Sequence, residues 1–354
     1  MIDPRNILVL QTAFPGDVIL TIPLMQELSS LFPGAKLTFV AIPSAAGVLR
    51  NHPAIDDIIL YDKRGVARGV RGVWTIVRRL RSLRFDVAIV PHRSLRSAVI
   101  PWLARIPVRI AFDSSAGRIL FTNTVHYRKE CHEVERNLDL LGPLTPSLPG
   151  RELPVLYPSA ADRAAVDTLL RERNGPSPRF SAESMIAVAP GSVWNTKRWP
   201  EGRYAELCAK LSEEGHAVVL VGGIDDRGLC AQIADLAPSA SVLNAAGRLE
   251  ILQSAELIGR CKALVCNDSA PMHLGVAMRT PVIALFGATV PEFGFAPLGA
   301  HDEVLQTTGL PCRPCSIHGG TTCPIGTFDC MLSISPVQVL QAVRRVLTRT
   351  HVAA

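Results

Sequence analysis

The sequence has few aromatic residues, no long apolar run and few lysines. Of its 354 residues 5% are aromatic, and six are lysine. No apolar stretch approaches the roughly 18 residues that a membrane-spanning helix needs, which excludes a helical membrane protein. The apolar run at residues 7–10 is too short for the core of a signal peptide. We therefore expect a cytoplasmic location.

Several common enzyme motifs are also missing. The turn at residues 12–17 reads Thr-Ala-Phe-Pro-Gly-Asp and lacks the Gly-x-Gly-x-x-Gly of a dinucleotide site. The sequence contains no Walker A motif and no Gly-x-Ser-x-Gly elbow, and residues 131–136 lack the second histidine of a zinc-protease helix. These absences count against a dehydrogenase, a P-loop phosphotransferase and a serine hydrolase.

What is present is an ordinary globular composition with a localised basic surplus. Hydrophobic residues make up 48% of the chain, enough for two domains with separate cores. The net charge is +6, and residues 60–130 contain 15 Lys/Arg against 4 Asp/Glu. Such a surplus suits a polyanionic partner, namely nucleic acid, an anionic membrane or a phosphorylated glycolipid. The alternative is a solvated arginine-rich face.

Short apolar runs alternate with amphipathic segments twice along the chain, which predicts two doubly wound, Rossmann-like α/β domains. Strands are predicted at Ile7–Gln11, Lys36–Ala41, Asp57–Tyr61, Val87–Val90, Met185–Ala189, Ala217–Val221, Ala263–Cys266 and Val282–Phe286. Helices are predicted at Val18–Leu31, Ala45–Asn51, Gly69–Leu83, Pro200–Glu214, Arg227–Leu236, Glu250–Arg260 and Pro271–Met278. Ligands of this fold class bind at the carboxyl ends of the strands, which we expect to face each other across a cleft.

The predicted domains are separated by a segment rich in glycine and proline, residues 174–179. We expect an N-terminal domain over residues 1–175 and a C-terminal domain over residues 183–335. A last helix is expected over residues 336–354, with the N-terminal domain as one candidate for its packing partner.

The first candidate for chemistry is the turn Pro15-Gly16-Asp17 after the first strand. A carboxylate at a helix start stays ionised beside the helix dipole and can accept a proton at neutral pH. The alternative is that Asp17 only caps the helix.

The second candidate is the segment Pro-Gly-Ser-Val-Trp-Asn-Thr-Lys-Arg-Trp-Pro at residues 190–200. Ser192, Lys197 and the loop amides together form a suitable pyrophosphate site in front of a helix. The alternative is a surface loop with Trp199 packed beneath it.

The third candidate, residues 266–273, reads Cys-Asn-Asp-Ser-Ala-Pro-Met-His and follows another apolar strand. Ser269 is predicted to cap the next helix, and Pro271 fits its first turn. Asp268 is a candidate for sugar hydroxyls and His273 for a phosphate. Capping and a structural histidine are the alternatives.

Four of the nine cysteines, Cys312, Cys315, Cys323 and Cys330, lie close together near the end of the chain. The first pair is spaced as in a zinc knuckle, but the later spacing matches no standard zinc finger. An odd cysteine count does not describe a secreted disulfide scaffold. Bound zinc, a disulfide and reduced thiols stay open, reduced thiols are favoured over zinc, and we assign no metal.

These segments, in this order, resemble the ADP-heptose:lipopolysaccharide heptosyltransferase family. The matching pieces are Gly16-Asp17, Lys-Arg-Trp-Pro at 197–200, Asn-Asp-Ser-Ala-Pro-Met-His at 267–273 and Ala-Leu-Phe-Gly-Ala-Thr at 284–289. Residues 91–98 are most similar to the heptosyltransferase II branch, although His92-Arg93 departs from the Pro-Asn usual there.

The resemblance implies a GT-B architecture and an inverting transfer of L-glycero-D-manno-heptose from ADP-heptose. The implied acceptor is heptosyl-Kdo2-lipid A or Kdo2-lipid A in lipopolysaccharide core biosynthesis, bound by the N-terminal domain. It implies no obligatory cofactor, with a divalent cation at most stimulating. Alternatives are a GT-B transferase for another nucleotide sugar, a nucleotide-sugar epimerase or hydrolase, and a nucleic-acid-binding module. The basic region has few aromatic residues for base stacking, so we expect no nucleic-acid partner.

The expected roles follow the matching positions. Asp17 is the expected catalytic base. Donor phosphate and sugar contacts are expected from Ser192, Lys197, Asp268, Ser269, Ala270, Pro271, Met272 and His273. Nucleoside contacts are expected from Gly222, Gly223 and Asp225, and acceptor contacts from Gly16, Arg93, Ser94 and Arg96. Peripheral contact with the inner face of the cytoplasmic membrane is expected through Arg78, Arg79, Arg81 and Arg84, which otherwise form a solvated helix face.

Overall fold

A computed structural model describes residues 3–63, 65, 69–148, 150–174 and 180–352. The chain forms two compact units, Met1–Tyr157 and Pro158–Ala354. Over the described residues, each unit contains one six-stranded parallel sheet covered by helices.

The first sheet has the order β3-β2-β1-β4-β5-β6. Its strands are β1 (Asn6–Leu10), β2 (Lys36–Ala41), β3 (Asp57–Leu60), β4 (Val87–Val90), β5 (Val108–Phe112) and β6 (Asn123–Val125). The central strand β1 lies between β2 and β4, with Val9 opposite both Phe39 and Ile89. All three side chains are fully buried, as expected for a parallel sheet covered on both faces.

The helices of the first unit are α1 (Pro15–Leu31), α2 (Pro43–Ala46), α3 (Gly69–Leu83), α4 (Leu95–Leu103) and α5 (Glu133–Asp139). The helix α1 begins with Pro15, whose missing N–H costs nothing in a first turn. The helix α2 is shorter than predicted and continues as a 3-10 turn over Gly47–Leu49.

The second sheet repeats this topology. Its strands are β7 (Met185–Ala189), β8 (Ala217–Leu220), β9 (Val242–Asn244), β10 (Ala263–Asn267), β11 (Val282–Phe286) and β12 (Glu303–Gln306). Their order, β9-β8-β7-β10-β11-β12, equals that of the first sheet strand for strand. Both units therefore have the doubly wound order in which the winding reverses beside the first strand.

The helices of the second unit are α6 (Ala160–Asn174), α7 (Glu201–Glu213), α8 (Arg227–Leu236), α9 (Ile251–Gly259), α10 (Ala270–Ala277), α11 (Asp329–Leu332) and α12 (Pro336–Val352). The last helix packs inside this unit, against α7 and the sheet. Val339, Val343 and Val346 of α12 belong to the same buried core as Ile186 and Val265. None of the described helices combines the length and hydropathy that crossing a membrane requires.

The chain divides earlier than the predicted linker. Residues 175–179 of that linker lie outside the described residues, and the two units separate at Tyr157 and Pro158. The reason is that α6, which we assigned to the first domain, packs against α9 of the second unit. The Arg260 guanidinium of the second unit also contacts Asp167 of α6 at 2.5 Å.

The eight predicted strands are all present, with ends that differ by at most one residue. Sequence reasoning missed the strands β5, β6, β9 and β12 and the helices α4, α5, α6 and α11. Two of these strands have three residues each, and β12 is only half-buried, so their hydrophobic patterns are too short or too weak to recognise.

Candidate active site

Asp17 is the third residue of α1, at the carboxyl edge of the first sheet. The residue preceding the helix is Phe14, so the alternative that Asp17 caps the helix is wrong. The Asp17 backbone carbonyl accepts a hydrogen bond from the Thr21 hydroxyl at 2.8 Å, inside the helix. The half-buried carboxyl lies on the first turn, where the helix dipole favours its negative charge.

A hydroxyl network surrounds His92 after β4, the strand beside β1. The His92 Nδ1 atom lies 2.8 Å from the Ser97 hydroxyl, 3.0 Å from that of Thr12 and 3.3 Å from that of Ser94. Ser94 also caps α4 by accepting from the Ser97 amide. The ends of β1 and β4 are thereby joined at the point where the winding of the sheet reverses.

Three cations surround this network. The Lys63 ammonium donates to the Thr12 hydroxyl at 3.3 Å, and Arg96 donates to the Lys63 carbonyl at 3.4 Å. The Arg93 guanidinium lies 4.1 Å above the Tyr127 ring, which orients it. Burial, and then the charges of Lys63 and Arg93, lower the pKa of His92 to about 4, so this histidine is neutral at pH 7.

The expected acceptor residues Arg93, Ser94 and Arg96 therefore share one edge of the first sheet, and Gly16 is the second residue of α1 there. Sequence reasoning missed Thr12, Lys63 and Ser97 because only the order of the strands brings their loops together. A polar residue directly after each apolar strand was the available signal.

In the second unit, Lys197 and Asp268 form a largely buried ion pair. The Lys197 ammonium lies 2.6 Å from Asp268 Oδ2. The Thr289 hydroxyl, after β11, donates to the same oxygen at 2.6 Å. Three loops that follow β7, β10 and β11 thus meet at one carboxylate, and two of these residues were predicted donor contacts.

Asn267, the last residue of β10, joins this cluster to the neighbouring strand. Its side-chain amide donates to the Pro190 carbonyl at 2.8 Å, and its side-chain oxygen accepts from the Trp199 amide and the Tyr204 hydroxyl. The Trp199 ring is buried, and its indole N–H donates to the Ile334 carbonyl at 3.0 Å. The alternative that Trp199 packs beneath this loop is confirmed, while the Lys197 ammonium points to Asp268.

Ser269 occupies the N-cap position of α10, but the prediction that its side chain caps the helix is wrong. Its hydroxyl donates to the Gly191 carbonyl at 3.2 Å instead. The Met272 amide donates to the Ser269 carbonyl at 3.0 Å, and Pro271 has no N–H, so neither amide is available to a phosphate. The available amides of this turn are therefore those of Ser269 and Ala270.

Ser192 and His273, the remaining residues expected to contact the sugar donor, lie in different surroundings. Ser192 is buried, and its hydroxyl accepts from the Trp194 amide at 3.3 Å. His273 is buried with only 6% of its surface exposed and has bonding partners within the fold. Ser192 therefore lies in the loop, whereas His273 lies inside the packed helix.

Arg313 fixes the loop that carries Thr289. Its guanidinium donates to the carbonyls of Gly287, Thr289 and Thr307 at 2.5, 2.7 and 2.7 Å, and to the Gln306 side chain at 2.8 Å. Sequence reasoning missed this residue because it lies in the cysteine segment, far from the recognised motifs. Through Thr289, Arg313 supports the position of the Asp268 carboxylate.

The cysteine segment packs on the turn that carries Lys197. The Thr196 amide donates to the Gly320 carbonyl at 3.0 Å, and the Gly320 amide donates to the Thr196 hydroxyl at 2.8 Å. All nine cysteines are free thiols. Across the described residues, no group of three or more His, Cys, Asp or Glu side chains is placed to hold a metal ion. Backbone N–H groups of Phe328 and Ile325 lower the pKa of Cys323.

The loop after β8 contains Gly222, Gly223 and the exposed Asp225, the expected nucleoside contacts. The neighbouring Asp226 is more closely built into the fold, because its carboxylate accepts from the Gly223 amide at 2.9 Å. A Cβ on Gly191 would lie 2.2 Å from Asp226 Oδ1, so any other residue there would require the Asp226 side chain to shift. Asp226 was missed because two adjacent aspartates are equivalent in the sequence.

Comparison with known proteins identifies the family of this chain. The model of glycosyltransferase family 9 (heptosyltransferase) matches residues 73–322. Lipopolysaccharide heptosyltransferase 2 of Escherichia coli K12 is 28% identical over 354 residues, which cover 97% of this chain and 98% of that protein.

Two solved structures share the fold over nearly their whole length. A family 9 glycosyltransferase of Veillonella parvula aligns with a TM-score of 0.87 and 23% identity, covering 99% of both chains. The E. coli ADP-heptose LPS heptosyltransferase II aligns with a TM-score of 0.77 and 26% identity, covering 98% of this chain and 99% of that one. The two doubly wound units are those of the GT-B architecture. The chain belongs to glycosyltransferase family 9, the heptosyltransferases.

Proposed function

We propose that this enzyme transfers L-glycero-D-manno-heptose from ADP-heptose to the inner core of lipopolysaccharide, with inversion at the anomeric carbon. The observation that carries the proposal is the Lys197–Asp268–Thr289 cluster at the carboxyl edge of the second sheet, where ligands of this fold class bind. The 28% identity to a lipopolysaccharide heptosyltransferase 2 over nearly the full chain supports the choice of substrates.

On the donor side, the task is to stabilise the negative charge that develops on ADP as the glycosidic bond breaks. An ammonium group has three donors, and Asp268 uses one of those of Lys197. Its remaining donors, with Ser192 and the Ser269 and Ala270 amides, would bind the diphosphate. The hydrogen bonds from Lys197 and Thr289 both end on Asp268 Oδ2, and in our proposal Oδ1 accepts from a heptose hydroxyl.

On the acceptor side, Asp17 is the proposed base that removes the proton from the attacking hydroxyl. A positioned base typically contributes about 10²- to 10⁴-fold in rate. Lys63, Arg93 and Arg96 around the neutral His92 would bind the carboxylates of Kdo or a phosphate of the core. The acceptor is negatively charged and the first unit has a surplus of positive charge, which supports this assignment.

We propose that protein groups perform the electrostatic work, so that a divalent cation is not required and at most stimulates. The acceptor carries lipid A, which places the reaction at the inner face of the cytoplasmic membrane. Peripheral contact with that surface is part of the proposal.

The test is mass analysis of the products formed from ADP-heptose with Kdo2-lipid A and, separately, with heptosyl-Kdo2-lipid A. We expect the mass of one heptose to be added to one of these acceptors, with release of ADP, in the presence of EDTA. A donor panel, followed by nucleotide release, accompanies the assay. Acceptor-independent release, or a clear preference for another nucleotide sugar, would contradict the proposal.

A further inference from the structure

The helix α3 has one side that packs against the rest of the first unit and an opposite side that is basic and exposed. The buried side is small and apolar and consists of Gly72, Ile76, Val77 and Leu80. The opposite side borders an open groove of about 600 Å³ lined by Arg71, Trp74, Thr75, Arg78 and Arg81. An indole ring thus lies among three guanidinium groups.

The sequence around α3 contains almost no compensating negative charge. Residues 63–112 include twelve Lys/Arg and one carboxylate, Asp86. Asp86 Oδ2 accepts from the backbone amides of Arg5 and Asn6 at 2.8 and 2.9 Å. This carboxylate is therefore bonded to the backbone at the start of β1 and does not pair with the α3 guanidiniums.

The end of α4 extends this surface. The Arg81 side chain donates to the Leu103 carbonyl at 2.8 Å, which places the last turn of α4 beside α3. The neighbouring Trp102 is 47% exposed and Trp74 is 44% exposed, two of only four tryptophans in the chain. Arg105 is also exposed. We call Arg71, Trp74, Arg78, Arg81, Trp102 and Arg105 the basic face.

We propose that the basic face binds the surface of an anionic phospholipid bilayer. Arginine guanidiniums are attracted to anionic headgroups, and tryptophan is enriched where headgroups meet acyl chains. A purely solvated face would gain nothing from two exposed indoles among its arginines. The inference rests on the proposed function, because an acceptor anchored by acyl chains must be met at a membrane.

The test is cosedimentation of the full chain with vesicles of phosphatidylcholine alone and of phosphatidylcholine mixed with phosphatidylglycerol, at about 0.15 M ionic strength. We expect binding to the mixed vesicles only, weakening as salt is added. The double variant Arg71→Gln/Arg78→Gln should lower the partition coefficient roughly 25-fold, about fivefold for each arginine. Trp74→Ser should weaken binding and keep its salt dependence.

The control is Arg171→Gln/Arg344→Gln, which removes the same charge from exposed positions of the second unit. It should bind like the wild type. Equal binding by the two double variants, no binding of the wild type to mixed vesicles, or tighter binding to an oligonucleotide at the same ionic strength would each overturn the inference.

Transfer to a deacylated, water-soluble acceptor separates this inference from the proposed function. Arg71→Gln/Arg78→Gln should transfer heptose to it at the wild-type rate. Transfer without vesicle binding would overturn only the membrane inference. Vesicle binding without any heptose transfer would overturn only the proposed function.

Discussion

The two units have the same strand order but different chemistry at the same place. In the first, Lys63, Arg93 and Arg96 surround a neutral His92 and bond to hydroxyls, carbonyls or a ring. In the second, Lys197 is paired with Asp268, and the Asp268 carboxylate also accepts a hydrogen bond from Thr289. The doubly wound topology determines where a ligand binds, and the side chains after the central strands determine which ligand.

The difference teaches how each ligand would be held. An ion pair fixed by a third residue is preorganised and keeps its geometry as ADP leaves. The three cations of the first unit favour an acceptor that carries several negative charges. The following predictions test this contrast, from the largest expected effect to the smallest.

The largest effect is expected at the carboxylate of the first unit. Asp17→Asn should lower kcat about 10²- to 10⁴-fold because the attacking hydroxyl loses its base, while ADP should bind as before. Steady-state kinetics measure kcat, and calorimetry measures the affinity for ADP. Asp57→Asn at the opposite edge of the same sheet is the control. Near-normal turnover of Asp17→Asn would remove the base assignment.

In the second unit, Lys197→Met should lower kcat/KM about 10²- to 10³-fold, because the departing diphosphate loses a cationic donor. It should weaken ADP-heptose binding far more than adenosine binding. Lys210→Met, at an exposed pair with Glu206, is the matched control. Equal losses for both ligands would contradict a phosphate role.

Arg313→Lys tests whether the cluster of the second unit is supported from the cysteine segment. A lysine cannot reproduce the planar fork, so we expect the unfolding free energy to fall by about 2–3 kcal/mol and KM for ADP-heptose to rise. Denaturant unfolding and steady-state kinetics measure these. Arg203→Lys, which removes one exposed bond to the Leu332 carbonyl, should change neither. An unchanged KM in Arg313→Lys would show that Thr289 needs no such support.

The smallest effect concerns the neutral histidine of the first unit. The pKa of His92 is lowered to about 4, so between about pH 6.5 and 4 the unfolded chain gains a proton that the folded chain does not. Stability is therefore lost as the pH falls through this range. His92→Asn should reduce the loss between pH 7 and pH 5 by about 1–2 kcal/mol in urea unfolding. A pH 7 to pH 5 difference in His92→Asn equal to that of the wild type would show that His92 is not held neutral.

Much of the fold was predictable from local patterns. Four strands of each unit contain apolar runs between turn signals, and all eight were found. The edge strands β6, β9 and β12 were missed because each is short or partly exposed and so has little hydrophobic periodicity. The division of the chain was misplaced because the packing of α6 on α9 is a long-range contact without a local signal.

The candidate sites also contain residues that local motifs predict and residues that only long-range contacts reveal. Asp17, Lys197 and Asp268 could be predicted as candidates because each follows a buried strand and belongs to a recognisable motif. Lys63, Thr289 and Arg313 were given no role because their importance comes from partners far away in the chain. Ser269 was placed correctly at the start of α10, but its hydroxyl turns to Gly191, a neighbour that only the strand order supplies.

The sequence by itself determined the class of fold, the family, and the loops that we propose for the chemistry, since apolar periodicity and short motifs are local properties of the chain. Tertiary structure alone decided which loops meet, that Lys197 is neutralised by Asp268, and that His92 stays uncharged. The physical reason is that hydrogen-bond geometry, burial and charge at a site depend on residues that the order of the strands brings together. No single segment of the chain determines this order.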